Sequence, residues 1–210
     1  MNLGQCHNYT DLPTLAKNIL EGNKIHYIDG AADDEVTYKR NSQSFNDVDL
    51  VPNVLAGVEE VDMSTKIMGQ ELSMPFYCAP TALQRLFHHE GERAVAKAAS
   101  SAGTMFGVSS LATVTVEDIA KISAGPKMFQ FYFHKDRGLN DALLERAKAA
   151  KFNVLALTVD TITGGNRERD LRSQPNPPRS LVNSQLLKTA YFASAHVCPG
   201  AVFILSLIHI

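Results

Sequence analysis

The sequence predicts a parallel α/β fold, and two observations carry that expectation. Short apolar runs alternate with helical patterns at intervals of about 25 residues, the rhythm of successive βα units. Each run also turns polar at its C-terminal end. Phe76-Tyr77-Cys78-Ala79 leads into Pro80-Thr81-Ala82, 104–108 into Ser109-Ser110, Met128-Phe129 into Gln130-Phe131-Tyr132, and Val154-Leu155-Ala156-Leu157-Thr158-Val159 into Asp160. Buried parallel strands look like this when they deliver polar groups to one shared edge.

Taken in order, residues 10–21 read as a short helix. Thr10 or Asp11 can cap it, Pro13 suits its first turn, and Leu12, Leu15, Ile19 and Leu20 form its apolar stripe, with Gly22-Asn23 closing it. A second helix carries Ile25, Tyr27 and Ile28 towards Gly30. The acidic cluster Asp33-Asp34-Glu35 opens a third, ending near Asn41, and reads as a solvated helix N-terminus. Residues 52–62 are an extended connector. Strands at 65–67 and 72–74 flank Met68-Gly69-Gln70-Glu71 as a hairpin outside the main fold. From residue 75 the alternation begins: strand 76–79, an alanine-rich helix over 90–102 with Ala94, Val95, Ala98 and Ala99 inward, and strand 104–108. Helix 115–122, strand 127–132, helix 139–150 with the stripe Leu143, Leu144 and Ala147, and strand 153–159 complete it.

A doubly wound sheet that binds a dinucleotide would place G-x-G-x-x-G directly after a strand, and no such run occurs. Polar groups at the ends of four successive strands favour a (β/α) barrel, whose site is shared among many strands. The bulk composition excludes other classes. A hydrophobic fraction of 45% with 20% charged residues is globular, and a net charge of −2 without a basic run gives no reason to expect nucleic acid. Cys6, Cys78 and Cys198 lack CxxC spacing and read as reduced thiols of a cytoplasmic protein. No basic-then-apolar leader is visible at the N-terminus. The apolar run 201–208 falls far short of the ~20 residues a membrane helix needs. His88-His89-Glu90 has the wrong spacing for two ligands on one helical face, so no metal is expected.

Several short stretches then carry a resemblance. Tyr27-Ile28-Asp29-Gly30-Ala31-Ala32, Arg40-Asn41, Met74-Pro75, Ala79-Pro80-Thr81-Ala82 and Glu90-Gly91-Glu92 are followed by Ser109-Ser110, Gln130-Phe131-Tyr132, Leu157-Thr158-Val159-Asp160 and Arg167-Glu168-Arg169-Asp170. In this order and spacing, over roughly residues 8–173, they resemble the FMN-dependent α-hydroxy acid oxidases and dehydrogenases. The resemblance implies a (β/α)8 TIM barrel of the FMN-linked type, of which this chain holds the N-terminal helices and the first four βα units. It also implies FMN at the C-terminal face, with cofactor contacts at Pro80, Thr81, Ala82, Ser109, Gln130 and Thr158. Substrate contacts are implied at Tyr27, Tyr132 and Arg167, and Asp160 matches the aspartate that orients a histidine base; Tyr132 and Asp160 are the catalytic candidates. The chemistry suits these types. A flavin ring needs uncharged donors and acceptors along its edge. A 2-hydroxy acid offers a carboxylate to an arginine fork, and a tyrosine hydroxyl can donate to the oxygen at C2. Considered one at a time, Ser109 and Thr158 would be strand-end hydroxyls and Arg167 a solvated loop charge. Gln130 resists that reading, because an amide inside an aromatic run needs partners.

The implied activity is oxidation of a small L-2-hydroxy acid, lactate first and glycolate second, with oxygen, a quinone or a cytochrome as electron acceptor. The parent is expected to be a homo-oligomer, cytoplasmic or peripheral on the inner membrane. Residues 1–75 are expected to precede the barrel, 76–173 to form its first half, and 174–210 to be a divergent loop with a non-native end. Leu205-Ser206-Leu207-Ile208-His209-Ile210 reads like a translated transposon-end sequencing adapter. Beyond Asp160 the only histidines are His196 and His209, and neither has the surroundings of the family's base. The alternative expectation is therefore a truncated, catalytically inactive fragment that lacks the base and the FMN phosphate site, with open strand edges that favour aggregation.

Overall fold

The computed structural model describes residues 3–160 and 164–173. Along the chain run α1 (Asp11–Lys17), α2 (Gly22–Asp29), α3 (Val36–Gln43), β1 (Thr65–Ile67), β2 (Gln70–Leu72) and α4 (Glu92–Ser101). Then come β3 (Phe106–Ser109), α5 (Val116–Ile122), β4 (Lys127–Tyr132), α6 (Arg137–Ala149), β5 (Val154–Thr158) and α7 (Glu168–Ser173). The expected loop and end at 174–210, with His196 and His209, lie outside the described residues. The chain divides into two compact units. One takes the described residues 3–59 and 164–173, the other 60–160.

In the first unit α1 stops at Lys17, short of the expected residue 21. Asn8, rather than Thr10, serves its start: Asn8 Oδ1 accepts from the amides of Thr10 and Asp11 at 2.9 and 3.2 Å. Gly22 opens α2 instead of closing α1. Before α3, Glu35 takes a left-handed φ of 58° and is only 8% exposed, so the acidic cluster is not simply solvated.

The second unit begins with the antiparallel hairpin β1–β2, paired Thr65 to Leu72 and Ile67 to Gln70. Its turn is the two residues Met68 and Gly69, both at positive φ (49° and 76°), the geometry that matches strand twist. The second strand therefore starts two residues before the expected 72. Residues 76–79 do not form a full strand. Cys78 alone bridges Phe106 in parallel, its amide donating to Met105 O at 3.0 Å while Gly107 N donates to Cys78 O at 2.8 Å. Pro75 and Pro80 bracket the run, and neither can donate to a ladder, so pairing is confined to its middle. β3 starts at Phe106 instead of 104 because the amide of Thr104 donates to Ala99 O at the end of α4.

β3, β4 and β5 form one parallel sheet with β4 in the centre, so the expected α/β fold with a parallel sheet is present. One face packs Phe106 and Val108 against Ala96, Ala99, Val114 and Ile119, and Phe129 and Phe131 against Ala147, Leu143 and Leu144. The other face stacks Met105 and Met128 on Leu72, with Val154 and Ala156 beside them. The inward residues of α4 are Glu92, Ala96 and Ala99, with the half-buried Val95 packed on the same cluster as expected, while Ala98 points outward. A helix made largely of alanine gives little contrast from which to read its face. β5 is less buried than its composition suggests: Leu155 and Leu157 are 54% and 39% exposed. Thr115 caps α5 by accepting from Asp118 N, and Asp136 caps α6 by accepting from Leu139 N.

Arg146 on α6 grips Glu117 on α5 with two hydrogen bonds of 2.7 and 2.9 Å. That guanidinium pulls the Glu117 carboxyl down to about 2. A carboxylate with a lowered folded-state pKa stabilises above its ordinary value and loses that contribution as pH falls towards 2. Both side chains are about half exposed, so the pair is worth at most ~1 kcal/mol. Glu117→Gln is expected to lower Tm slightly at pH 7, with the gap to the unsubstituted chain closing between pH 4.5 and 2 in thermal melts.

Candidate functional site

The polar groups expected at the strand ends do meet. Ser109, Gln130 and Thr158 end or nearly end β3, β4 and β5. The Ser109 hydroxyl donates to Gln130 Oε1 at 3.1 Å, and Ser110 N donates to the same oxygen at 3.3 Å. Gln130 Nε2 donates to Thr158 Oγ1 at 2.7 Å, and Leu111 N donates to Ser109 Oγ at 3.1 Å. Ser109 and Gln130 are each 6% exposed. These contacts fix the amide, oxygen towards β3 and nitrogen towards β5. Counting donors, Thr158 keeps its own proton to give and Gln130 keeps a second N–H. The row is thus a set of uncharged groups whose remaining capacity is mostly to donate.

Tyr132 closes β4, half-buried and paired in register with Thr158. Pro80 sits against β3: a Cβ at Gly107 would lie 2.8 Å from Pro80 Cδ and 3.0 Å from Pro80 N, so only glycine admits this approach. Thr81 is exposed, Ala82 is half-buried, and Thr81 O accepts from Gln84 Nε2 at 3.3 Å. Asp160 lies two residues beyond β5 and is exposed.

Tyr27 and Arg167 meet in the other unit. The Arg167 guanidinium lies 5.2 Å over the Tyr27 ring, donates to Tyr27 O, and pairs with Asp170 at 2.6 Å. Next to it Arg169 binds Glu35 at 2.5 Å and Asp29 O at 3.2 Å, while Glu35 also accepts from Ala31 N at 3.1 Å. Sequence reasoning missed the roles of Glu35 and Glu92. Glu92 is fully buried in the first turn of α4, where an acid ordinarily reads as a solvated partner of the helix dipole. Lys127 was missed as well. It is buried at the opposite, N-terminal end of β4, where its ammonium donates to Ser123 O and Gly125 O and burial pulls its pKa down.

A model of the FMN-dependent dehydrogenase family matches residues 16–198. The chain belongs to the FMN-dependent dehydrogenases. It is 39% identical over 172 residues to glycolate oxidase 1 of Oryza sativa subsp. indica, covering 82% of this chain and 47% of that one. With the glycolate oxidase of Spinacia oleracea it shares 40% identity over 167 residues, covering 80% and 45%. Among solved structures, a mandelate oxidase superposes with a TM-score of 0.74 at 33% identity, over 80% of this chain and 51% of that one. A Pediococcus acidilactici protein described as a lactate oxidase gives 0.79 at 30% identity, over 90% and 53%. The chain spans about half the length of the curated relatives it matches. FMN is the cofactor this family implies, and the donor chemistry of the Ser109–Gln130–Thr158 row fits it, since a flavin ring presents carbonyl oxygens and ring nitrogens that accept.

Proposed function

We propose that this chain forms the flavin-ring side of an enzyme that oxidises a small L-2-hydroxy acid, lactate or glycolate, to the 2-oxo acid. The observation that carries the reading is the hydrogen-bonded row Ser109–Gln130–Thr158 at three parallel strand ends. In this reading the Cys78 bridge and β3–β5 represent the first four strands of an eight-stranded (β/α) barrel over 76–173, preceded by residues 1–75.

Bound FMN supplies the two-electron acceptor for the hydrogen at C2 of the substrate. Gln130 and Thr158 would hold the flavin by donating their remaining hydrogen bonds to its acceptors, and Pro80, Thr81 and Ala82 would hold it beside β3. Tyr132 offers its hydroxyl to the substrate oxygen at C2. Tyr27 holds the substrate together with Tyr132, and Arg167 offers its charge to the substrate carboxylate or to the anionic flavin, with a guanidinium already oriented by Asp170 and the Tyr27 ring. Asp160 is assigned to orient the family's histidine base, a role given to no histidine of this chain. Oxygen, a quinone or a cytochrome would take the electrons onward, and the assembled enzyme is proposed to be a homo-oligomer. A reducing compartment, the cytoplasm or its membrane face, suits the thiols of Cys6 and Cys78, which form no disulfide. No helix among the described residues is long and apolar enough to cross a membrane.

The test is absorbance between roughly 350 and 500 nm of the purified chain with FMN, followed by anaerobic L-lactate. A perturbed, protein-bound flavin spectrum is the expected result, and bleaching on lactate would extend it to turnover by this chain. Binding without bleaching would confine the chain to holding the ring. Free-flavin spectra throughout would overturn the reading.

A further inference from the structure

Helix α4 carries a carboxylate that the proposed chemistry leaves unused. Glu92 is 0% exposed. Its Oε1 accepts from Thr113 N at 2.8 Å and Gln84 N at 3.3 Å, and its Oε2 accepts from the Thr113 hydroxyl at 2.6 Å. Gln84 and Thr113 belong to different loops: one follows the Cys78 bridge and contains Pro80, Thr81 and Ala82, the other follows β3 and begins at Ser109–Ser110. Two further bonds lace the same loops, Leu83 N to Leu111 O at 3.2 Å and Arg85 N to Thr113 Oγ1 at 3.2 Å. Leu83 is held in the left-handed region at φ 56°. At Gly91, just before Glu92, a Cβ would lie 2.5 Å from Arg85 Cγ and 3.0 Å from Arg85 N, so the helix start is pressed onto the first loop.

A buried carboxylate is costly unless hydrogen bonds replace its water, and charge-assisted bonds to backbone N–H and hydroxyl do so. Here the replacements come from both loops at once. We propose that Glu92 is a positioning residue for the flavin site: it fixes the Pro80–Ala82 turn relative to Ser109 and hence to the Gln130 row. This rests on the flavin reading of those strand ends. In this proposal Glu92 acts through the two loops it joins.

The test combines amide hydrogen exchange with FMN titration for the chain and for Glu92→Ala, Glu92→Gln and Thr113→Val. Glu92→Ala is expected to speed exchange at Gln84 and Thr113 at least about tenfold, leave the β4 amides unchanged, and weaken FMN binding by about tenfold. Glu92→Gln should restore most of both, because its amide oxygen still accepts from the two backbone amides. Thr113→Val removes the hydroxyl contacts and should fall between them, which keeps the test decisive if the alanine variant fails to fold. Unchanged FMN affinity in Glu92→Ala, or exchange that quickens uniformly across the sheet, would overturn the proposal. If the unsubstituted chain binds no FMN, the flavin reading fails on its own account. The clamp between the loops is then judged by exchange, and unaltered rates at Gln84 and Thr113 would sink it.

Discussion

Gln130→Leu is expected to lose FMN binding by at least about tenfold and to destabilise the chain by ~1–3 kcal/mol. Leucine fills a similar volume, so packing is not the main loss. The loss is of hydrogen bonds at a site that water barely reaches. Ser109 Oγ loses its acceptor and Thr158 loses its donor, while Ser110 N keeps its 2.9 Å bond to the Gln130 backbone carbonyl. Each buried group left unpaired costs ~1–3 kcal/mol, although the half-buried Thr158 can recruit water. Glu is the informative control. A carboxylate can still accept from Ser109 and Ser110 N, but it brings a negative charge and no N–H for the ring. Gln130→Glu should therefore keep more of the fold than Gln130→Leu while still binding FMN poorly. Urea melts give the stability and flavin fluorescence quenching gives the affinity. Gln130→Leu binding FMN as tightly as the unsubstituted chain would show that the row does not recognise the ring.

Glu35→Ala is the second large expectation, at ~1–2 kcal/mol of lost stability in the first unit. Breaking this half-buried ion pair removes a partner from Arg169, which keeps the Asp29 carboxylate at 3.5 Å and the Asp29 carbonyl at 3.2 Å, and the value is discounted for that and because the Arg169 side chain is 40% exposed. Ala31 N also loses its acceptor. Glu35→Gly separates side chain from backbone. The residue sits at φ 58°, which glycine adopts freely, so the glycine variant should recover up to ~1 kcal/mol relative to alanine. Limited proteolysis within 164–173, together with thermal melts, reports the outcome. A change below about 0.5 kcal/mol in Glu35→Ala would mean the pair is no more than a surface contact.

The elements most legible in the sequence were those whose signals are local. α5 announces itself with Thr115 and an acidic first turn, and β4 with a run of aromatic and apolar residues that neighbours on both sides then bury. Residues 76–79 misled because apolar composition is the same for a full strand and for a single bridge, and the flanking prolines decided between them. β5 misled through Leu155 and Leu157, which are apolar yet half in water. At the site, Gln130 was legible as an amide that needs partners, but the direction of its amide was not, since that depends on groups 20 to 28 residues away. Glu35 and Glu92 were invisible for a different reason. A carboxylate near a helix start is ordinary on a surface, and only the distant Arg169 and Thr113 show that these two are not.

The same separations bear on the order in which the chain assembles. Within the sheet, each strand pairs with the next strand in sequence, so partners find one another across a crossover that holds a single helix. The Arg169–Glu35 contact joins residues 134 apart. Closing a longer loop costs more entropy before any contact repays it, although that cost rises only logarithmically. The β3–β4–β5 sheet is therefore expected to form early and the 164–173 segment to be recruited late. A contact made after the folding barrier affects escape from the native state more than entry into it. Glu35→Ala should then steepen loss of structure chiefly through faster unfolding, visible as a shift of the unfolding arm of a chevron plot, with refolding of the sheet scarcely changed.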